Sequence, residues 1–227
     1  MKKLLLVCLI GMMCFVTAGC SNSSSAIDSG GNQEPSEGSE TQIEDSVDQT
    51  VESVDIFNDN ATYFIMIDGQ KFYAGDPISA LSDVGYSLEE FGSDEELPAG
   101  KYIIGTGSMV NADGKTAFGV TPYNNTDTTL TVSECVIGGI GVSDAWVNDD
   151  ERVLSFEFYG GIKLGSTKED VVAAWGEPTS TLSGEVADEK WEKYEYESDE
   201  TYRNFSVRFD SDGFVTSMDW QNMDFND

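Results

Sequence analysis

The sequence predicts an α+β fold, in which short helices pack on antiparallel β-meander sheets. Segments rich in apolar and aromatic residues recur along the chain, and each is bounded by turn residues such as Asp, Asn and Gly. Two short apolar-periodic segments are framed by glycines, which is typical of short helices. A helix laid on the apolar face of a sheet gives the α+β class.

The first predicted unit begins with a strand at 62–67, followed by a turn at Asp68 and Gly69. A short helix should follow, with Asp76 as its N-cap and Pro77 at the first helical position. Gly85 is placed to end it.

The second predicted unit repeats this order. A strand at 153–159 is followed by Gly165, a helix through Val171 and Trp175, and a stop at Gly176. Its reciprocal N-terminal cap is open between two pairs, Ser166 with Glu169 or Thr167 with Asp170. The shared order of elements predicts two related units.

Further strands are predicted between the two helices, at 101–110, 115–121 and 130–142, with a turn at 111–114. Near the C-terminus, Phe205, Val207 and Phe209 alternate with polar residues, which indicates a strand with one wet face. A turn at 210–213 leads into its partner strand. Pairing Phe209 with Phe214 would place Val207 opposite Thr216, and Arg208 opposite Val215.

Composition excludes several classes of function. The 227 residues include 42 Asp and Glu, 12 Lys and Arg, and no His, which gives a formal charge of -30. Without histidine, neither a Ser-His-Asp triad nor a His-ligated zinc site can form. The negative charge argues against binding nucleic acid, because such binding requires a basic surface.

The N-terminus predicts export and a lipid anchor. Lys2 and Lys3 precede an uncharged, mostly apolar run at 4–16, which is shorter than the ~20 residues that span a bilayer. Small residues before Cys20 resemble the lipobox of bacterial lipoproteins. By that resemblance residues 1–19 form a signal peptide, and Cys20 receives a diacylglycerol and anchors the chain on the extracytoplasmic side of the cell membrane. Ordinary secretory cleavage, with an inert Cys20, is the alternative.

A spacer is predicted to follow the anchor. Residues 20–53 are rich in serine and acidic residues and contain no Lys or Arg, so they cannot bury enough apolar surface to fold. The folded part should then consist of an N-terminal β-rich unit with one short helix at 54–148 and a C-terminal α+β unit at 149–227. Only Cys135 remains as a thiol after processing, and its apolar surroundings predict a buried, inert side chain.

A family resemblance covers residues 159–220. It is carried by the run from Gly165 to Val171, by Gly176-Glu177-Pro178, and by later positions in the same order, which are Trp191, Tyr194, Val207, Phe209, Gly213 and Val215. This pattern resembles the SmpA/OmlA (BamE-like) and β-lactamase-inhibitor-protein-like superfamily. The resemblance implies a non-enzymatic domain, often in a lipoprotein, that binds other proteins across its sheet. The first unit lacks the Gly-x-Pro after its helix, so it is either a divergent repeat or a different β-rich domain.

No catalytic residue, metal site or cofactor is predicted. The run 210–213 has the Asp-x-Asp-Gly of a calcium loop, but Phe214 stands where an EF-hand needs an oxygen ligand, and Gln221 stands where it needs a glutamate. A plain hairpin turn is the simpler interpretation. Carboxylate pairs suitable for glycoside hydrolysis are so numerous that none is informative.

The sequence therefore predicts a non-catalytic, lipid-anchored module that binds a protein or cell-wall component. We expect the contact surface on the sheet face that includes Arg208, Ser217 and Asp219, with Tyr194 and Tyr196 nearby. Core packing is the alternative for these aromatic residues. The acidic composition predicts a basic or cation-rich partner and salt-sensitive binding. A small-ligand or divalent-cation receptor is the alternative function, and an enzyme comes third.

Overall fold

The computed structural model describes residues 55–57, 60–89, 94–104, 107–199 and 202–223. The predicted signal peptide, Cys20 and the whole of the predicted spacer lie outside these residues, and their roles stay predictions. The strands are β1 Phe64–Ile67, β2 Gln70–Tyr73, β3 Ser87–Leu88, β4 Glu96–Leu97, β5 Gly107–Val110, β6 Thr116–Tyr123, β7 Leu130–Thr131, β8 Val136–Ser143, β9 Ser180–Val186, β10 Glu189–Glu197, β11 Arg203–Phe209 and β12 Val215–Asn222. The α-helix is α1, Lys168–Trp175, and the 3₁₀ helices are Asn60–Thr62, Ile78–Val84, Val132–Glu134, Asp144–Trp146, Glu151–Ser155 and Tyr159–Gly161.

One antiparallel sheet of eight strands organises the described residues. Its strand order is β3-β5-β6-β8-β12-β11-β10-β9, so the pairing of β8 with β12 joins the strands of the two predicted units. β1 with β2 and β4 with β7 form two smaller sheets. The α+β class is consistent with this architecture. The relatedness of the two units and the boundary at 148/149 stay predictions.

The helix α1 packs against one face of the sheet, which we call the helix face. Of the two predicted caps, the structure has Thr167 with Asp170: the Thr167 hydroxyl accepts a bond from the Asp170 N–H, and the Asp170 carboxylate accepts one from the Thr167 N–H. Val171 and Trp175 are buried, and the Trp175 ring lies 5.2 Å from that of Phe205. Packing of this kind contributes more to so short a helix than propensity does.

The hairpin of β1 and β2 covers another part of the helix face. Tyr63, just before β1, stacks on Phe205 with ring centroids 4.7 Å apart, and the Trp220 indole N–H donates to the Phe64 carbonyl at 3.1 Å. Both Tyr63 and Trp220 are fully buried. The core therefore lies between the helix face of the sheet and the elements that cover it, which include α1 and the hairpin of β1 and β2.

The first predicted helix is correct in place, and only its predicted N-cap is wrong. Residues Ile78–Val84 form a 3₁₀ helix, and Gly85 ends it in the left-handed conformation at φ 86°, as predicted. The Asp76 carboxylate does not cap this helix, because it accepts a bond from the Tyr73 N–H at 2.8 Å instead.

One predicted strand is wrong, and another is divided into two. Within 153–159, residues up to Ser155 belong to a 3₁₀ helix capped by the Asp150 carboxylate, which accepts a bond from the Arg152 N–H. The predicted strand at 130–142 is broken by a 3₁₀ turn at Val132–Glu134, where Cys135 is buried. Burial raises the pKa of the Cys135 thiol to about 11, which keeps it protonated near neutral pH.

The predicted hairpin of β11 and β12 forms, but its register is shifted by two residues. Val207 lies opposite Met218 and Arg208 opposite Ser217, because the ladder changes register between Arg208 and Phe209, and Phe209 pairs with Val215. A shift of two residues along most of the strand keeps each side chain on its predicted face.

Candidate protein-binding face

The face of the sheet opposite α1 carries most of the predicted binding residues. From β9 to β12 it presents a set of polar, small and aromatic side chains, which we call the open face: Leu182, Gly184, Val186, Trp191, Lys193, Glu195, Ser206, Arg208, Ser217 and Asp219. Cross-strand pairing fixes their positions, since residues directly opposite each other in a ladder point to the same face. Arg208 is exposed, and Trp191, Ser217 and Asp219 are half-buried. The predicted residues Arg208, Ser217 and Asp219 thus lie on one face.

The Trp191 indole packs over Gly184, its direct partner on β9. An alanine Cβ at position 184 would come within 2.6 Å of the indole Cζ2, so only glycine leaves room for the ring. An aromatic side chain that covers an edge-strand glycine in this way stabilises the pairing of its strand. The Arg208 guanidinium lies 4.7 Å from the centre of the same ring, which is cation–π geometry.

A row of polar side chains crosses the open face next to Trp191 and Arg208. The Ser206 hydroxyl donates to the Asp219 carboxylate, and Lys193 binds Glu195 with 3.0 Å between Nζ and Oε1. Burial raises the pKa of Asp219, and the neighbouring Glu195 raises it further, whereas Ser206 and Lys193 act in the opposite direction. The hydrogen bond from Lys193 lowers the pKa of Glu195.

One end of the open face continues into a groove of about 820 Å³. The tips of two hairpins and the 3₁₀ helix at Asp144–Trp146 border it, with Trp191 and Arg208 in its lining. At the β9–β10 tip, Ala187 and Asp188 have φ of 52° and 69°, which a two-residue type I′ turn requires. The groove has a mixed polar and apolar lining, with Asp144 and Asp210 among its charged residues.

Residues 157–219 match the family model described as the outer membrane protein assembly factor BamE domain. Over this range the chain is similar to a BamE domain, and we call residues 157–219 the BamE-like domain. The match confirms the family predicted for this region, and its bounds lie within three residues of the predicted 159–220. No curated protein and no solved structure matched the chain.

The BamE-like domain consists of α1, β9, β10, β11 and most of β12. It holds all the residues of the open face. Strand β8 adds further positions beside β12 on the same face. Gly141 of β8 lies opposite Asp219, and Ser143 lies opposite Ser217. The N-terminal strands therefore extend the sheet of the BamE-like domain and place its strand β12 in the interior of the sheet.

Tyr194 and Tyr196 do not belong to the predicted surface. They lie opposite Val207 and Phe205 on the helix face. Tyr196 is only 2% exposed and donates its hydroxyl to the Gly176 carbonyl at 3.1 Å. Tyr194 is half-buried against Phe209, with ring centroids 4.8 Å apart. Their predicted grouping with Arg208 is wrong, because the pairing of β10 with β11 places the even-numbered residues of β10 on the helix face.

Sequence reasoning missed the pairing of Trp191 with Gly184. The sequence shows a glycine and a tryptophan on either side of an Ala-Asp turn, with equal spacing from it, which is the signal of a hairpin pair. The many charged residues at 189–197 made this hairpin difficult to recognise from the sequence. Both strands of this hairpin carry polar residues on both faces, so the alternation that marks a half-buried strand is weak.

Groups of three or more acidic or cysteine side chains arranged to hold a metal ion are absent from the described residues. Among the same residues, no helix is both long and apolar enough to cross a membrane. The charged side chains of the open face instead form ion pairs and hydrogen bonds with each other, as Lys193 does with Glu195.

Proposed function

We propose that this chain is a lipid-anchored, extracytoplasmic, non-catalytic protein that binds another protein of the cell envelope through the open face of its BamE-like domain. The observation that carries the proposal is the open face itself, where the Trp191 indole and the Arg208 guanidinium are in contact. This face belongs to a domain that matches a family described as an assembly factor for outer membrane proteins. Trp and Arg are enriched among the residues that dominate binding energy at protein interfaces.

The arrangement of Trp191 supports this role because the ring is already ordered before a partner arrives. Gly184 below it and Arg208 beside it hold the indole in one orientation. A side chain that is ordered in the free protein loses less conformational entropy on binding, which leaves more of the contact energy for affinity.

Charge indicates the kind of partner. The chain has 42 acidic and 12 basic residues, so it attracts a basic surface over distances of about a Debye length and repels an acidic one. Arg208 and Lys193 provide local positive charge within this field, where they can pair with individual acidic groups of the partner. The proposed partner is a basic envelope protein.

Anchoring fits the same role. If Cys20 carries a diacylglycerol and a further acyl chain, the two chains suffice for stable attachment to a membrane. The acidic segment 20–53 would then act as a spacer between the membrane and the folded body, with a reach of about 30 Å. Mass spectrometry of the N-terminal peptide from native membranes tests this directly, and an unmodified Cys20 would contradict it.

Capture from solubilised envelopes tests binding through the open face. The full chain is compared with a variant that carries Trp191→Ala and Arg208→Ala, and with a control that carries Leu154→Ala and Lys163→Ala. The control also removes one exposed apolar side chain and one cation, at positions outside the open face. A basic protein retained by the parent and the control at low salt, and lost by the first variant or at high salt, would support the proposal. Equal capture by all three would contradict it.

The alternative function is a receptor for a small ligand or a divalent cation, for which the groove beside Trp191 is the available cavity. A rise in the melting temperature with millimolar calcium would favour it, because a ligand that binds only the folded state stabilises that state. An unchanged melting temperature together with open-face-dependent capture would favour the protein-binding function.

A further inference from the structure

The strand β9, Ser180–Val186, forms one edge of the eight-stranded sheet. It pairs with β10 on one side and with no other strand among the residues that the structure describes. In an antiparallel pair, alternate residues direct their N–H and C=O groups away from the partner strand. Along β9 these groups form a row of hydrogen-bonding positions at the open edge.

Apart from the single charge of Glu185, this edge lacks the usual features that prevent pairing with another chain. Protected edge strands are short, are interrupted by a bulge, or carry proline or lysine. β9 has seven residues, pairs with β10 in one continuous register, and contains neither proline nor lysine. Six of the seven residues are exposed. The edge is therefore accessible over the length of a full strand.

The side chains of β9 indicate what would pair with it. On the open face, Leu182 and Val186 are 47% and 64% exposed, on either side of Gly184. On the helix face, β9 presents Thr181, Ser183 and Glu185. Their neighbours on β10 are Glu192, which forms an ion pair with Lys168, and Lys190, which lies opposite Glu185. A strand added to this edge would meet apolar groups on one face and hydroxyl and carboxylate groups on the other.

We propose that β9 accepts an extended segment of a partner protein as a ninth strand of the sheet, and that this segment alternates apolar and basic residues. Its apolar residues lie beside Leu182, Gly184 and Val186, and its Lys or Arg residues lie beside Ser183 and Glu185. Main-chain hydrogen bonds supply affinity, and the alternating side chains supply specificity. This inference rests on the proposed function, which it deepens by naming how the partner is held.

A second copy of the chain fits the edge less well than a basic segment does. Each chain has a formal charge of -30, and β9 brings Glu185 to its own edge without a basic residue in the same strand. Two such edges would approach against the repulsion of both chains. A basic segment instead gains from the same charge.

Hydrogen exchange with a defined peptide tests the proposal on the full chain. The probe is the heptapeptide Lys-Val-Lys-Val-Lys-Val-Lys, blocked at both ends. The amides of β9 that point away from β10 should exchange rapidly in the free chain and slow by about tenfold or more when the peptide is bound, because they become part of a ladder. A version with glutamate in place of lysine should not slow them.

Two N-methylated versions of the peptide separate strand addition from simple charge attraction. One is methylated at its valines and the other at its lysines, and both keep the charges and side chains of the parent. In an added strand, only the amides of alternate residues face β9, so methylation must block them in one of the two versions. At least that version should bind at least about tenfold more weakly than the parent peptide. Equal affinity for both versions and the parent would overturn the proposal.

Matched variants locate the binding on the chain. Leu182→Lys places a positive charge on the edge and should weaken peptide binding by about tenfold, whereas Leu154→Lys, at a leucine of similar exposure elsewhere, should leave it unchanged. Equal effects of the two variants, no slowing of exchange in β9, or dimerisation of the free chain through β9 would each overturn the proposal. If any of these occurs while capture still depends on Trp191 and Arg208, the proposed function stands and the edge-strand inference fails.

Discussion

Replacing Gly184 by alanine removes the space in which the Trp191 indole lies. The new Cβ would meet the indole Cζ2 at 2.6 Å and Cε2 at 2.8 Å, whereas ordinary carbon contacts are about 3.5 Å or longer. The ring must move by about 1 Å or rotate away from the sheet. Either movement also displaces the ring from the Arg208 guanidinium, which lies 4.7 Å from its centre.

The expected cost follows from what the indole loses. Exposing about 80 Å² of one ring face costs about 2 kcal/mol at about 25 cal/mol per Å², and the loss of the Arg208 contact adds about 0.5 kcal/mol. Alanine is itself better than glycine in a strand by about 0.5–1 kcal/mol. Gly184→Ala should therefore lower the free energy of unfolding by about 1.5–2 kcal/mol.

The same substitution should have the opposite sign when Trp191 is absent. In a Trp191→Ala background the Cβ meets no ring, so Gly184→Ala should raise the free energy of unfolding by about 0.5–1 kcal/mol. Urea unfolding followed by far-UV circular dichroism measures both effects. Gly141→Ala is the control, because its Cβ would meet Asp219 at an ordinary 3.5 Å. If Gly184→Ala is as well tolerated as Gly141→Ala with Trp191 present, the described position of the indole is wrong.

Three further perturbations test separate parts of the account. Because burial raises the pKa of Asp219, the wild-type chain should lose stability relative to Asp219→Asn as the pH rises above about 4 toward that raised pKa. The urea midpoints of the two chains should therefore diverge across this pH range. Midpoints that change in parallel would contradict the raised pKa. Thr167→Ala removes the side-chain cap of α1 and should cost about 1 kcal/mol of unfolding free energy, and an unchanged urea midpoint would show that the cap contributes nothing. Ala187→Gly relieves a left-handed alanine and should raise the melting temperature with a gain of about 0.5–1 kcal/mol, whereas a loss would indicate that the turn has another conformation.

The parts of the fold that local chemistry determines could be predicted from the sequence. The helix stops at Gly85 and Gly176 and the alternation of β11 each depend on a few neighbouring residues, whereas the sequence limited the cap of α1 only to two overlapping pairs. The BamE-like domain was recognisable for the same reason, because its helix and hairpin signals follow each other at fixed spacing.

The parts that depend on partners distant in sequence could not be predicted in the same way. The face of Tyr196 follows from the register of β10 with β11, and a bulge beside Phe209 shifts the register of the next hairpin. The predicted strand at 153–159 has apolar residues at strand spacing, but Asp150 caps a 3₁₀ helix there. Tertiary contacts of this kind override local pattern.

Site-specific photocrosslinking in the native envelope tests the central claim most directly. A photoreactive phenylalanine derivative replaces Ser217 on the open face or, as a control, the exposed Glu169 on the outer side of α1. We expect the derivative at position 217 to form a discrete adduct with one protein, and this adduct to disappear when Arg208→Ala is added. The derivative at position 169 should form little adduct. An adduct from position 169 with none from position 217 would show that the partner binds the helix side, and the open face would then not be the binding surface.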